Sequence, residues 1–267
     1  MNIRRMLATS SMTAMLLVLG LAGTASAQRA GTAGGPVPLA AITYTISVAT
    51  SDIDDAGTDS NVEVRLNGTT ASSGYMALDS SIDNFERNTT DVFTRVLTDL
   101  GTLQSADVRF TLGGGSPGWH LANIRVAATG KPTVYFVCYC WFSSSTTRTL
   151  AAAVNAQTYT IRVTTSDVAD AGTDGTVEIR LRGSLRSSPY MILDSSIDNF
   201  ERNSTNTFTR VVSDIGTPRS VDVRFTLGDN SAWHLSHVTL SAPNRATAQF
   251  PCHCWFSSST TRNVPVA

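Results

Sequence analysis

Four aspartates, Asp52, Asp54, Asp55 and Asp59, crowd around an Ala-Gly-Thr-Asp turn in the stretch SDIDDAGTDSNVEVRL from Ser51 to Leu66. A second version, SDVADAGTDGTVEIRL, runs from Ser166 to Leu181. Carboxylates gathered at a turn on the lip of a rigid scaffold, beside freed backbone carbonyls, are the hard oxygen donors that Ca²⁺ binds several at a time. The competing reading is local, since Asp and Asn also bond to their own backbone in turns. Charge separates the two readings: clustered carboxylates repel one another unless a cation or a neighbouring Arg neutralises them. The stretch nearly fits an EF-hand loop through Asp52, Asp54, Gly57 and Glu63. Ala56 breaks that pattern, however, and Glu63 sits in an alternating strand with no flanking helix.

Three further groups could carry chemistry. Gly114-Gly115-Ser116-Pro117-Gly118, closely followed by His120, satisfies the G-x-S-x-G pattern of a hydrolase nucleophile. It lacks a strand-to-helix elbow, and the matching stretch Gly228-Asp229-Asn230-Ser231-Ala232 loses the motif, so a glycine-rich hairpin explains it better. Cys138-x-Cys140 and Cys252-x-Cys254 lie two apart, about 6.6 Å in a regular strand, near the upper limit for a disulfide. Small apolar core residues are the leading reading, and disulfides, which would need a local distortion, come next. Zn²⁺ at Cys252, His253 and Cys254 is disfavoured because Tyr139 replaces the histidine in the first copy. Trp119 and Trp233 enter strands within apolar runs and read as core.

The elements that hold these groups come twice. Tyr44 matches Tyr159, and LDSSIDNFERN at Leu78–Asn88 matches Leu193–Asn203. CWFSSSTTR recurs at Cys140 and Cys254. A period this long describes whole domains. Alternating apolar and polar residues predict strands at Tyr44–Val48, Val62–Leu66, Phe93–Leu97, Val108–Leu112, Ile124–Ala127 and Val134–Phe142, with a weaker one near Tyr75–Leu78. No stretch keeps a helical period, so the fold class is all-β, antiparallel sandwiches. The expected core of the first copy includes Tyr44, Val64, Phe93, Phe110, Leu112 and Trp119.

Composition fits such domains: 267 residues, 42% hydrophobic and 15% charged. Met1–Ala27 carries Arg4 and Arg5, an apolar run and Ala25-Ser26-Ala27, which together read as a secretory signal peptide. Met6-Leu7-Ala8 fits a twin-arginine signal poorly and favours the ordinary route. Removing two arginines and no acid takes the formal charge from -1 to -3, without the basic footprint of a nucleic-acid binder. The expected boundaries are a signal peptide at 1–27, a flexible leader at 28–41, domain 1 at 42–146, a linker at 147–156 and domain 2 at 157–262. The expected location is outside the cytoplasm, extracellular or periplasmic.

The order T-S-D, A-G-T-D, V-x-V-x-L-x-G, D-N-F-E-R, D-x-F, D-L-G, G-W-H-L-x-x-I-x-V and F-x-C-x-x-W strongly resembles the PLAT (LH2) domain of lipoxygenases, pancreatic-type lipases, polycystins and clostridial alpha-toxin. The match covers nearly all of 41–145 and again 158–259. The resemblance implies two tandem eight-stranded antiparallel β-sandwiches serving as lipid-interface or protein-docking modules, often with Ca²⁺ at one end. In those enzymes a separate domain carries the chemistry, so a non-enzymatic role is expected here. Carried across, the calcium loops fall on Asp52, Asp55, Gly57, Asp59, Asp83, Asn84 and Glu86, and in the second copy on Asp167, Asp170, Gly172, Asp174, Asp198, Asn199 and Glu201. The large aromatic tips of membrane-inserting members are missing. Ile53, Val168, Tyr75, Met76, Tyr190 and Met191 are the apolar tips expected to touch lipid. The expected activity is therefore weak Ca²⁺ binding that assists docking to a lipid or membrane interface or a secreted protein partner. The alternative is a Ca²⁺-independent protein- or carbohydrate-interaction module.

Overall fold

Val62, Val64 and Leu66 point one way along their strand and Glu63 and Arg65 the other, and this two-residue period builds the molecule. The structure, a computed structural model, describes residues 40–113, 118–228 and 231–267. The expected signal peptide, almost all of the expected leader and Gly114–Pro117 of the G-x-S-x-G motif lie outside the described residues. No helix occurs among those described.

The first repeat comprises β1 (Ala41–Thr50), β2 (Asn61–Gly68), β3 (Met76–Ala77), β4 (Thr90–Thr98), β5 (Leu103–Thr111), β6 (Trp119–Ala128), β7 (Val134–Phe142) and β8 (Thr146–Ala151). The second comprises β9 (Gln157–Thr165), β10 (Thr176–Gly183), β11 (Met191–Ile192), β12 (Thr205–Val212), β13 (Pro218–Thr226), β14 (Trp233–Ser241), β15 (Ala248–Phe256) and β16 (Thr260–Pro265). Each repeat pairs its strands into two antiparallel four-stranded sheets. The orders are β4-β1-β6-β7 and β3-β2-β5-β8 in the first, and β12-β9-β14-β15 and β11-β10-β13-β16 in the second.

The inward faces meet in one apolar core per repeat. Trp119 is fully buried among Phe85, Phe110 and Phe142, and its indole N–H donates to Thr50 Oγ1 at 3.0 Å. Trp233 repeats the arrangement with Thr165. Tyr44 is also buried, and its hydroxyl accepts the Leu100 amide at 3.0 Å, tying the β4–β5 turn to the core. Among the expected core residues Leu112 is the exception. It lies just past the end of β5 at 39% exposure, where pairing with β2 stops at Thr111.

Two local expectations change. Thr146–Ala151, read in part as linker, forms β8 and pairs with β5 from Phe110↔Thr146 to Ser105↔Ala151. Its matching strand β16 extends to Pro265. The cysteines, expected first as reduced core residues, form disulfides Cys138–Cys140 and Cys252–Cys254. The distortion that permits them is visible in the backbone. Tyr139 and His253 adopt left-handed φ of 47° and 48°, opposite register shifts at Leu121/Asn123 and Leu235/His237. This draws the paired Cα atoms to 5.0 and 5.1 Å, inside the range a disulfide spans.

Candidate metal centre

The loop leaving β1 and the loop between β3 and β4 emerge at the same end of the first sandwich and are bonded to each other. The Thr58 amide donates to Phe85 O at 3.3 Å, and the Asn88 amide donates to Ser51 O at 3.2 Å. Gly57 eases their close approach, since a Cβ there would sit a tight 3.2 Å from the Arg87 backbone nitrogen. Phe85 turns its ring into the core from a left-handed backbone (φ 65°), which lifts its neighbours Asp83 and Glu86 toward solvent. Asp91 accepts the Phe85 amide at 2.8 Å and the Asn84 side-chain amide at 3.0 Å, so a buried strut holds the second loop. In the second repeat Asn206 takes the place of Asp91 and accepts the Phe200 amide at 2.8 Å.

This scaffolding gathers the carboxylates of Asp59, Asp83 and Glu86, with one oxygen from each lying within 4.8 Å of the others. Asp174, Asp198 and Glu201 do the same in the second repeat. All six residues are exposed, and among the described residues no donor side chain engages their carboxylates. The nearby arginines are committed elsewhere. Arg87 donates from Nε to Asp52 at 2.9 Å and also pairs with Asp54, while Arg202 donates to Asp167 at 2.7 Å. Three uncompensated carboxylates with oxygen-only donors suit a hard divalent cation such as Ca²⁺, whose remaining positions carbonyls and water can fill.

The residues carried over from the family thus fall into separate groups. Asp59, Asp83 and Glu86, with Asp174, Asp198 and Glu201, converge. Asp52 and Asp167 are held by arginine, and Asn84 and Asn199 are buried in side-chain networks. Asp55 and Asp170 are exposed at left-handed turn positions, and Gly57 and Gly172 supply the close approach of the two loops. A groove of about 490 Å³ lies beside the first trio, lined by Asp59, Glu63, Ile82 and Asp83. Asp174 and Asp198 of the second trio line a cleft of about 590 Å³ whose far wall is Ile53, Asp54, Arg87 and Trp141 of the first repeat. Both lie within the range of small-ligand sites, about 300–1,000 Å³.

The apolar tips differ in part from those expected: Val168 is exposed by 39%, and Met76 and Tyr190 are half-buried. Ile53 is 3% exposed and Met191 is fully buried, while Tyr75 lies flat beneath Arg109, 4.0 Å from its ring centre. The prominent apolar tips are Ile82 and Ile197, exposed by 67% and 65%, each immediately before a trio aspartate. Their signal was present in the repeated S-S-I-D-N-F: an apolar residue amid turn formers with no apolar neighbour to pack on. His120, the hydrolase candidate, is buried instead, with Nδ1 2.7 Å from Ser51 Oγ and its ring edge-on to Trp141. Desolvation, aided by the positive charge of Arg210, lowers its pKa to about 4.

Comparison with known proteins agrees with this architecture. The PLAT/LH2 domain family model matches residues 44–151 and 159–265. Lipoxygenase homology domain-containing protein 1 of Mus musculus is 30% identical over 237 residues, 82% of this chain, and its Homo sapiens counterpart is equally similar. The chain spans 11% of the length of each. Among solved structures, coral 8R-lipoxygenase, described as calcium-activated via a C2-like domain, aligns at 23% identity and TM-score 0.39, covering 42% of this chain and 17% of its own. The alpha-toxin of Clostridium absonum aligns at 22% identity and TM-score 0.36, covering 42% of this chain and 31% of its own. Matched twice along its length, this chain belongs to the PLAT/LH2 domain family, with two such domains in tandem.

Proposed function

We propose that the chain is an exported binding module that docks on an anionic lipid interface when Ca²⁺ occupies its two carboxylate trios. The observation that carries this reading is the repeated pairing of three unpartnered carboxylates with a solvent-facing isoleucine, Ile82 or Ile197. Without a cation, these carboxylates repel phosphate headgroups. With one, the ion cancels their charge and offers coordination positions to a headgroup, while the isoleucine enters the acyl boundary. Each buried isoleucine contributes about 1.5–3 kcal/mol at most, so attachment is shallow and reversible and gains from two linked sites. Export at the Ala27–Gln28 junction belongs to the same proposal, and N-terminal sequencing of the released protein checks it.

Sedimentation with phosphatidylserine-containing liposomes tests the docking. The protein is expected in the pellet with millimolar Ca²⁺ and in the supernatant with chelator. Ile82→Ser/Ile197→Ser is expected to reduce pelleting while leaving Ca²⁺ binding intact. Equal behaviour with and without Ca²⁺ would remove the lipid reading in favour of a Ca²⁺-independent protein or carbohydrate partner.

A further inference from the structure

Because the chain repeats itself, each surface of one repeat can be compared with its equivalent on the other, and the differences in exposure mark what the two repeats cover on each other. On the first repeat, Ile53, Tyr139 and Trp141 are partly or fully covered, while their equivalents Val168, His253 and Trp255 are exposed. On the second repeat, Asp194 and Val211 are partly covered and Val212 is buried. Their equivalents are more open: Asp79 is exposed, Val96 is 68% exposed and Leu97 is half-buried.

The contacts explain the pattern. Tyr139, pushed out by the bulge in β7, accepts the Val211 amide from the edge of β12 at 2.9 Å and packs with Val137 against the second core. Arg210 lies between the rings of Tyr139 and Phe208, at 5.8 and 5.5 Å from their centres. The Asp54 amide donates to Asp194 at 3.3 Å. The joint is a plug from one repeat in a socket on the other, so it is heterologous: the contacting surfaces are different patches, and each repeat carries a version of both.

We infer that the chain associates head to tail with further copies of itself, the β15 bulge of one copy seating on the β4 edge of the next. The receiving side keeps its central residues, although Leu97 replaces Val212 and Ala77 replaces Ile192. Asp79, Phe93, Arg95 and Val96 stand where Asp194, Phe208, Arg210 and Val211 stand, in the same strand register. Arg95 already lies 5.8 Å from the centre of the Phe93 ring, its other face uncovered by any ring among the described residues. Val92 and Val96 leave this edge apolar, at 60% and 68% exposure. The plug side is retained in part. The backbone amide of Ala169 can serve Asp79 as that of Asp54 serves Asp194, and Trp255 replaces Trp141 at 39% exposure. His253 has the same left-handed backbone as Tyr139 but a shorter reach. Pro251 replaces Val137 and removes an N–H from an edge strand, which weakens edge pairing. The external joint is therefore weaker than the internal one and forms as concentration rises.

This inference is independent of Ca²⁺ and is tested in chelator by sedimentation velocity on the purified chain. Concentration-dependent growth beyond the monomer is expected below ~1 mM. His253→Tyr, which recreates the internal plug, is expected to tighten association at least tenfold. Arg95→Glu is expected to abolish it without lowering the unfolding temperature. The directional test mixes Arg95→Glu with His253→Gly/Trp255→Ser, which deletes the plug side chains, each variant being expected to stay monomeric alone. One intact plug and one intact socket then form a 1:1 complex that grows no further. The inference is overturned if wild type and His253→Tyr both stay monomeric to ~1 mM, if Arg95→Glu associates like wild type, or if the mixed variants form no complex.

Discussion

His120 shows how a single side chain reports on packing around it. Its folded pKa of about 4 lies below the ordinary 6.5, first through desolvation and then through the charge of Arg210. Between these values the unfolded chain binds a proton that the folded chain refuses. Its contribution is therefore complete above about pH 6.5 and is lost as the pH falls toward 4. The loss amounts to at most about 3 kcal/mol. Urea unfolding at pH 7 and pH 4.5 is expected to show this decline, and His120→Gln to flatten it. The carboxylates act in a lower window. Asp107 is buried, which opposes its charge, but hydrogen bonds from Thr149, Asn67 and Arg65 outweigh that, while Arg109 lowers Glu63 and Lys131 lowers Asp99. Their depressed pKa values support the fold above the ordinary carboxylate range, and that support is lost as the pH falls through them.

At the scale of elements, strands carrying Val or Ile at every second position were legible because burial on one face writes a two-residue period into the sequence. Thr146–Ala151 wrote no such period, since Leu150 is its only buried residue. What makes it a strand is pairing with β5 and the bond from Thr149 to Asp107 at 2.6 Å, both long-range. The Cys-x-Cys bulge was hidden for a similar reason, because it follows from a register shift between β6 and β7 rather than from local pattern. The acidic trios were legible as clustered acids, but which acids converge was not. Arg87 and Arg202 divert Asp52 and Asp167, and sequence alone does not say where an arginine reaches.

The bulge also makes a prediction at this scale. A cross-link closing so short a loop restrains the unfolded chain little, and its effect is local, holding Tyr139 in a backbone form that non-glycine residues rarely adopt. Cys138→Ala/Cys140→Ala is expected to leave both cores folded and to speed hydrogen exchange at the Val211 amide, which Tyr139 otherwise accepts. Unchanged exchange there would show that the bulge stands without its cross-link.

Taken whole, the molecule joins two sandwiches through a half-buried cation. Arg210 is pressed between two rings, with Nε unpartnered among the described residues, and desolvation pulls its pKa down. Arginine and tyrosine are among the residues on which the energy of an interface most often concentrates. Wild type is therefore expected to unfold in one calorimetric transition and Arg210→Ala in two, as the repeats uncouple. The joint also makes the two carboxylate trios unequal. The first opens on a groove lined by its own repeat, and the second on a cleft walled by its neighbour. Titration calorimetry with Ca²⁺ on the purified chain tests the central claim most directly. Saturable binding of two ions is expected, with affinities on the order of 10⁻⁴ to 10⁻³ M, one lost in Asp83→Asn and the other in Asp198→Asn. Absence of saturable heat up to ~10 mM, well above that affinity range, or heat unchanged in both variants, would contradict it.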